Sequence, residues 1–144
     1  MRPSLVNLMV GIVMARIILL ACLLFLVLPV SAAPQTPAVI AVEMREFAFQ
    51  PALIRLTADR PVRLVFANRG QIAHQFESDY LRQIPARVMD VTLSVETAGL
   101  EFVRLAPGSS ATVEFLPRRR GRFTFACTIE GHREAGMHGV LEVR

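Results

Sequence analysis

Turn residues divide this chain, from residue 38 onward, into short apolar segments, and this spacing restricts its fold more than any other feature. In the segment 62–67, Val62, Leu64 and Phe66 occupy every second position, the pattern of a strand with one face in a core. The segment ends at 68–70 in Asn-Arg-Gly, residue types that favour turns. Turn signals recur about every 8–12 residues without a long helical period, which predicts an all-β fold, a β-sandwich of about seven or eight strands.

One part of the chain departs from this pattern. Residues 77–90 show the least regular spacing of apolar side chains, and 80–84 could form a single helical turn that Pro85 would end. Two further strands are predicted beyond this part, at 91–95 and 100–105.

The N-terminal region has the composition of a secretory signal peptide. Residues 17–28 carry no charge, Arg16 precedes them, and small residues follow at 31–33. Cleavage is predicted after Ala32, with Met14 as an alternative start of the leader. Residues 1–32 would then be a signal peptide and residues 33–144 one exported, periplasmic domain, large enough to bury a core without disulfides.

Two alternatives to a cleaved leader stay open. The apolar run is shorter than the roughly 20 residues that cross a bilayer, but an uncleaved leader would anchor the protein in the membrane. Residues 19–22 also vaguely resemble a lipoprotein box ending at Cys22, although the apolar run continues past it. An uncleaved leader is the one route by which we expect membrane contact.

The charge balance gives no support for a nucleic-acid partner. The chain has 16 arginines and 12 acidic residues, and removal of the predicted signal segment takes Arg2 and Arg16 with it. The domain that remains carries a formal net charge of about +2, too small to form a basic surface for a polyanion. We therefore expect no nucleic acid among its partners.

The chain contains two cysteines, Cys22 and Cys127, and the first lies in the predicted signal segment. The exported domain would keep a single thiol and could form no internal disulfide. A lone thiol in an oxidising compartment is either buried and inert or bound to a partner atom. The neighbours of Cys127 favour the second reading.

Three soft or borderline donor side chains follow one another in the stretch Cys127-x4-His132-x4-Met137. Thiolate and thioether ligands select copper(I), imidazole also suits copper, and two histidines, one cysteine and a weak axial methionine make up blue-copper sites. Glycines at 131 and 136 would let the loop turn back into a final strand.

The second histidine must come from elsewhere, and the chain offers His74 or His138. His74 follows a strand end and a turn, a position that can hold a ligand at the same end of a sandwich. His138 is adjacent to Met137 and is expected to point away from the metal.

The domain resembles the cupredoxin family, which includes plastocyanins and azurins. The similarity runs from the opening 46–51 through Asn68-x-Gly70-x3-His74 to the 127–139 segment. It implies a Greek-key β-sandwich and one type 1 copper ion bound by His74, Cys127, His132 and Met137. The loop spacing is azurin-like from cysteine to histidine and plastocyanin-like from histidine to methionine, so neither subfamily supplies a potential or a partner.

Two other features have plainer readings. Met44 and Met89 are expected to pack in the core, and the alternative is that they are additional copper(I) ligands. The arginines 118–120 are expected to form a solvated turn, and the alternative is a surface for partner docking.

The ligand set indicates one-electron transfer between copper(I) and copper(II), with a cytochrome or a copper oxidase as redox partner. A copper-tolerance protein that sequesters copper or delivers it to a copper-handling partner would use the same ligands. A metal-free β-sandwich that binds another protein is a third alternative. We expect no enzyme, because the three histidines of the chain leave none to build the further copper sites of an oxidase or a nitrite reductase.

Overall fold

The computed structural model describes residues 35–144, so the predicted signal segment 1–32 and the domain boundary at residue 33 lie outside the described residues. Within them the chain forms eleven strands and one short helix. The strands are β1 (Ala38–Arg45), β2 (Ala48–Gln50), β3 (Leu53–Leu56), β4 (Val62–Asn68), β5 (His74–Glu77), β6 (Ala86–Met89), β7 (Ser94–Thr97), β8 (Phe102–Leu105), β9 (Ser110–Phe115), β10 (Gly121–Ala126) and β11 (His138–Val143). The helix, α1, spans Asp79–Arg82.

The strands build two sheets. One has the strand order β2-β1-β4-β9-β6-β7 and the other the order β3-β11-β10-β5-β8. The pairs β1/β4 and β3/β11 are parallel, and all other described pairs are antiparallel. The predicted all-β, two-sheet fold is confirmed, but the described residues form eleven strands where about seven or eight were predicted.

The core lies between the facing sides of the two sheets. Burial alternates residue by residue along β4, and Val62, Leu64 and Phe66 point inward as the period-two pattern predicts. Phe76 and Phe125 stack in the opposite sheet with ring centroids 4.7 Å apart. Burying a side chain of this size contributes about 1.5–3 kcal/mol, so this aromatic cluster supplies much of the cohesion.

The stretch predicted to be least regular, 77–90, contains more structure than its sequence suggests, because strand β6 lies within it and pairs with β7 and β9. Strand β5, which ends where this stretch begins, was also not predicted and pairs with β8 and β10. In β5 the first three residues are all buried, so no alternation marks the strand in the sequence. The predicted helical turn is confirmed as α1, which Ser78 caps by accepting the N–H of Tyr80.

The strand predicted at 91–95 begins later than expected. The Asp90 carboxylate accepts the backbone N–H groups of Thr92 and Leu93, which makes a turn where a strand was predicted. Strand β7 therefore starts at Ser94. Side-chain capping of this kind competes with strand pairing, and the apolar residues of the segment did not reveal it.

The predicted core methionines differ in burial. Met44 is fully buried within the hydrophobic core, whereas Met89 is half-buried at the end of β6. Among residues 35–144, no helix has the length and apolar character needed to cross a bilayer.

Pairing of the last two strands sets the position of the candidate ligands. Strands β10 and β11 are antiparallel, with Ala126 opposite His138, so the segment 127–137 forms the loop between them. Glu77 of β5 also lies opposite Ala126. The start of the loop therefore runs beside β5, which carries His74 at its first position.

Candidate metal centre

His74 is held in place by the turn that precedes β5. The buried Asn68 amide donates to the carbonyl oxygens of Ile72 (2.8 Å) and Leu105 (2.9 Å), and its Oδ1 accepts the N–H of Gly70 (2.9 Å). One side chain thereby closes the loop 69–73 and ties it to strand β8. Because every polar atom of the amide has a partner, the geometry of the turn before His74 is well determined.

The loop 127–137, hereafter the ligand loop, is closed by its own backbone. The N–H of Cys127 donates to the carbonyl of Met137 (3.0 Å), and the N–H of Met137 donates to the carbonyl of His132 (3.0 Å). Gly131 and Gly136 adopt φ values of +79° and +103°, a region that side chains disfavour. The sequence therefore places glycine where the loop reverses direction.

Three of the four predicted ligands come together at this end of the molecule. The donor atoms of His74, Cys127 and His132 lie within 4.8 Å of one another, and Cys127 Sγ is 3.3 Å from His132 Nδ1. His74 and Cys127 are fully buried and His132 is 7% exposed. Met137, the fourth, is fully buried in the same loop and bonded through its backbone to two of the others.

The two buried ring nitrogens of His74 are available to bind a metal ion. Within the described residues neither Nδ1 nor Nε2 of His74 has a hydrogen-bond partner. Leaving a buried polar group unpaired costs about 1–3 kcal/mol, which a bound metal would offset. Burial lowers the pKa of His74, and the neighbouring His132 acts in the same direction, which favours the neutral imidazole with a lone pair free for a metal.

The donor set also fits the metal that the sequence predicts. Two imidazoles, one sulfur and a buried thioether in the same loop are the ligand types that suit copper in both oxidation states. The spread of the donor atoms is small enough for one ion to bridge them.

A hydrogen-bonded network around the sulfur was not predicted. The backbone N–H of Gln75 donates to Cys127 Sγ (3.3 Å), and Gln75 Nε2 donates to Thr128 Oγ1 (2.7 Å). The Thr128 hydroxyl in turn donates to Glu77 Oε2 (2.7 Å). Gln75 directly follows His74, and Thr128 directly follows Cys127. Adjacency to a predicted ligand was the sequence signal that could have identified both residues.

The turn between β1 and β2 supplies two further neighbours that the sequence gave no reason to place here. Phe47 has a φ of 58°, unusual for an aromatic residue, and sets its ring edge-on against His132 with centroids 5.2 Å apart. Its ring is 41% exposed and lies beside the least buried ligand. Glu46 Oε1 lies 3.8 Å from His74 Nε2.

His138 and the arginine turn 118–120 lie outside the donor cluster. His138 is exposed at the start of β11, and its backbone N–H bonds to the carbonyl of Gly136. Arg119 stacks on the ring of Phe123 at 4.6 Å and donates to Gln83. The arginine turn precedes β10, so it lies at the opposite end of that strand from the ligand loop.

Comparison with known sequences agrees with this geometry. The family model described as a cupredoxin-like domain matches residues 16–143. The copper-resistant cuproprotein CopI of Rubrivivax gelatinosus is 36% identical over 98 residues, which are 67% of this chain and 59% of CopI. The chain therefore spans less than two thirds of that relative's length.

Comparison with solved structures gives the same fold. Auracyanin B superposes with a TM-score of 0.54 and 23% identity over 78% of this chain and 93% of its own. A multi-copper oxidase from Pediococcus acidilactici superposes with a TM-score of 0.63 and 15% identity over 81% of this chain and 28% of the oxidase. At such identities these similarities establish the fold alone. With the family match over most of its length, the chain belongs to the cupredoxin-like domain family.

Proposed function

We propose that this chain is a mononuclear type 1 copper protein that transfers single electrons, with copper held by His74, Cys127, His132 and Met137. The observation that carries the proposal is the convergence of two imidazoles and one thiol, all buried, within 4.8 Å. A bound copper ion would supply a one-electron couple between copper(I) and copper(II).

The arrangement of the ligands supports electron transfer because they are ordered by protein contacts. Asn68 orders the turn that carries His74, and backbone hydrogen bonds close the ligand loop. Ligands held in this way move little when the charge of the metal changes, which keeps reorganisation small. The N–H of Gln75 adds a hydrogen bond to the sulfur, the kind of contact that tunes a potential.

The site has one side that approaches solvent. His132 is the only one of the four proposed ligands with measurable exposure, and the half-exposed ring of Phe47 lies beside it. An electron would enter or leave most directly along the His132 edge, since the other three ligands are enclosed by protein.

The visible spectrum of the copper-loaded full chain tests the proposal. We expect an intense thiolate-to-copper charge-transfer band that is absent in Cys127→Ser. Met44→Leu is the matched control, because it removes a fully buried sulfur that belongs to β1 and not to the ligand loop, and it should leave the band in place. Absence of the band from the unsubstituted protein, or its survival in Cys127→Ser, would overturn the assignment.

Copper tolerance is the second candidate function, and the similarity to the copper-resistant cuproprotein CopI favours it. A protein of this type would pass copper(I) to an acceptor or retain it. Stopped-flow mixing separates the two roles. Electron transfer predicts rapid, reversible reduction by a small cytochrome with copper retained, whereas copper handling predicts loss of copper to a competing chelator on the same timescale.

A gene deletion gives the corresponding test in the cell. Copper sensitivity with respiration intact would support the handling role, and a respiratory defect at low copper would support electron transfer. The proposed partners differ accordingly, being a cytochrome or copper oxidase in one case and a copper-handling protein in the other.

We also propose that the protein is periplasmic and that it is not an enzyme. The predicted signal segment supports a periplasmic location, which fractionation of cells for the mature and the full-length chain would test. A non-enzymatic role is supported by the histidine count, because the three histidines of the chain leave only His138 outside the proposed copper ligands. The near-neutral charge of the domain supports protein partners over nucleic acid.

A further inference from the structure

The environment of His74 Nε2 contains one candidate acceptor that the copper proposal does not use. The imidazole is fully buried, its Nε2 has no hydrogen-bond partner within the described residues, and Glu46 Oε1 lies 3.8 Å away. The Glu46 side chain is 41% exposed and comes from the β1–β2 turn, far from His74 in the sequence. A carboxylate is therefore directed at the far side of a proposed metal ligand.

The carboxylate is held in position by the turn that Asn68 closes. Glu46 Oε1 accepts the backbone N–H of Gln71 in a short hydrogen bond. The carboxylate is thus fixed to the same loop that leads into His74.

Gly70 leaves the space in which the two groups approach each other. A Cβ atom at this position would lie 2.5 Å from Glu46 Oε1 and 2.8 Å from His74 Nε2, closer than real Cβ contacts. The absence of a side chain at residue 70 thus allows carboxylate and ring to approach. The same crowding indicates that Nε2 faces protein, so Nδ1 is the nitrogen of His74 left for a metal.

We propose that Glu46 is a positioning residue that fixes the His74 imidazole through its Nε2–H and lowers the reduction potential of the bound copper. This inference rests on the proposed function. Glu46 does not itself bind the metal in this scheme. From 3.8 Å the carboxylate attracts the Nε2–H electrostatically, and a small approach would let it accept this proton in a hydrogen bond. Nδ1 is then presented toward Cys127 and His132.

The expected direction follows from electrostatics. A carboxylate hydrogen-bonded to a ligating imidazole raises the basicity of that ligand, and such partners typically contribute about 10–100-fold to metal affinity. The added negative charge stabilises copper(II) more than copper(I). If the preference is about tenfold, the reduction potential is lower by about 59 mV than it would be without the charge.

A purely structural role for Glu46 makes a different prediction. If the carboxylate only anchors the loop through Gln71, any side chain that accepts this N–H should serve equally well. Glu46→Gln retains an oxygen that can accept the Gln71 N–H but removes the charge. The variant therefore separates anchoring from the effect on the ligand.

The matched control is Glu43→Gln. Glu43 is on β1, the strand that leads into the turn carrying Glu46; its side chain is 37% exposed, and it is paired with Arg45 instead of a proposed ligand. Both variants remove one negative charge of similar exposure. Only a specific contact with His74 distinguishes them.

Two measurements test the proposal on the full chain. The first is the reduction potential of the copper-loaded protein by spectroelectrochemistry, for which Glu46→Gln should raise the potential by about 59 mV and Glu43→Gln should leave it unchanged. The second uses the metal-free protein. Glu46→Gln should shift the side-chain nitrogen resonances of His74, because the carboxylate selects the tautomer with the proton on Nε2.

Three results would overturn the inference. An unchanged potential in Glu46→Gln, equal shifts in both variants, or unchanged His74 resonances would each show that Glu46 does not act on the ligand. Failure of the underlying function is seen separately, since the unsubstituted protein would then show no thiolate-to-copper band and have no copper potential to measure.

Discussion

The two parts of the donor cluster are held by different kinds of structure. His74 starts strand β5, which is paired with β8 and β10, and the preceding turn is closed by one buried amide, that of Asn68. Cys127, His132 and Met137 lie in one loop that is closed mainly by its own backbone hydrogen bonds. The strand-held ligand depends on distant residues, whereas the loop-held ligands depend on residues close in sequence.

This difference suggests how a site of this kind can vary. The ligand loop can change length or composition without disturbing the sheets, since both its ends are fixed by the β10–β11 pairing. The His74 side cannot, because its position is shared with the core through Asn68 and β8. Substitutions on the two sides should therefore affect stability to different extents.

The largest effect is expected for Asn68→Ala. This change removes three hydrogen bonds of a fully buried amide and leaves the carbonyls of Ile72 and Leu105 unpaired, which should lower the free energy of unfolding by about 3 kcal/mol. Urea denaturation of the metal-free protein measures the change. Gln71→Ala is the control, because it alters an exposed side chain of the same loop and should cost no more than about 0.5 kcal/mol.

An equal loss of stability in Asn68→Ala and Gln71→Ala would break the comparison. It would mean that the stability of the turn before His74 depends no more on the buried Asn68 amide than on the exposed Gln71 side chain.

A smaller effect is expected where the two parts are joined. Gln75 follows the strand-held ligand, Thr128 follows Cys127, and their side chains share a 2.7 Å hydrogen bond. A double-mutant cycle with Gln75→Ala and Thr128→Val should give a coupling free energy of about 1 kcal/mol. The backbone N–H that Gln75 donates to Cys127 Sγ is kept in both variants, so the cycle reports the side-chain contact of Gln75 with Thr128 together with their shared partner Glu77.

Strict additivity of the two substitutions would show that the strand and the ligand loop are stabilised independently. A coupling clearly above the expected value would sharpen the opposite view, in which Thr128 and Gln75 act as one unit with Glu77.

The smallest effect is expected for His138→Ala. His138 is exposed and lies outside the donor cluster, so its removal should change the free energy of unfolding by less than about 0.5 kcal/mol and leave the copper band unaltered. His132→Ala is the paired variant, which should abolish that band. Loss of the band in His138→Ala would show that His138, at the start of β11, is needed for the copper site.

Much of the fold could be predicted because its strands follow local rules. Alternation in β4 and the turn residues after it indicated an all-β sandwich, and the structure and the family match agree. Strand β5 was missed because it is buried on both faces and shows no alternation. The strand predicted at 91–95 begins later, at Ser94, because the Asp90 carboxylate accepts the backbone N–H groups of Thr92 and Leu93.

The candidate site shows the same difference between residues placed by local sequence and residues placed by long-range contacts. Cys127, His132 and Met137 could be found from their spacing, since all three belong to one loop whose closure depends on nearby residues. His74 could be nominated by its turn and by the shortage of other histidines. Glu46 and Phe47 could not be found, because nothing in their local sequence states which strand end they will meet.

By itself, the sequence determined the class of fold, the composition of the ligand loop and the choice of donor types, because each depends on periodicity, turn chemistry or local spacing. Only the tertiary structure decided that β5 runs beside the start of this loop and that the β1–β2 turn brings a carboxylate to within 3.8 Å of His74. These contacts join residues distant in the chain, and the pairing of strands across the sheets determines which of them meet.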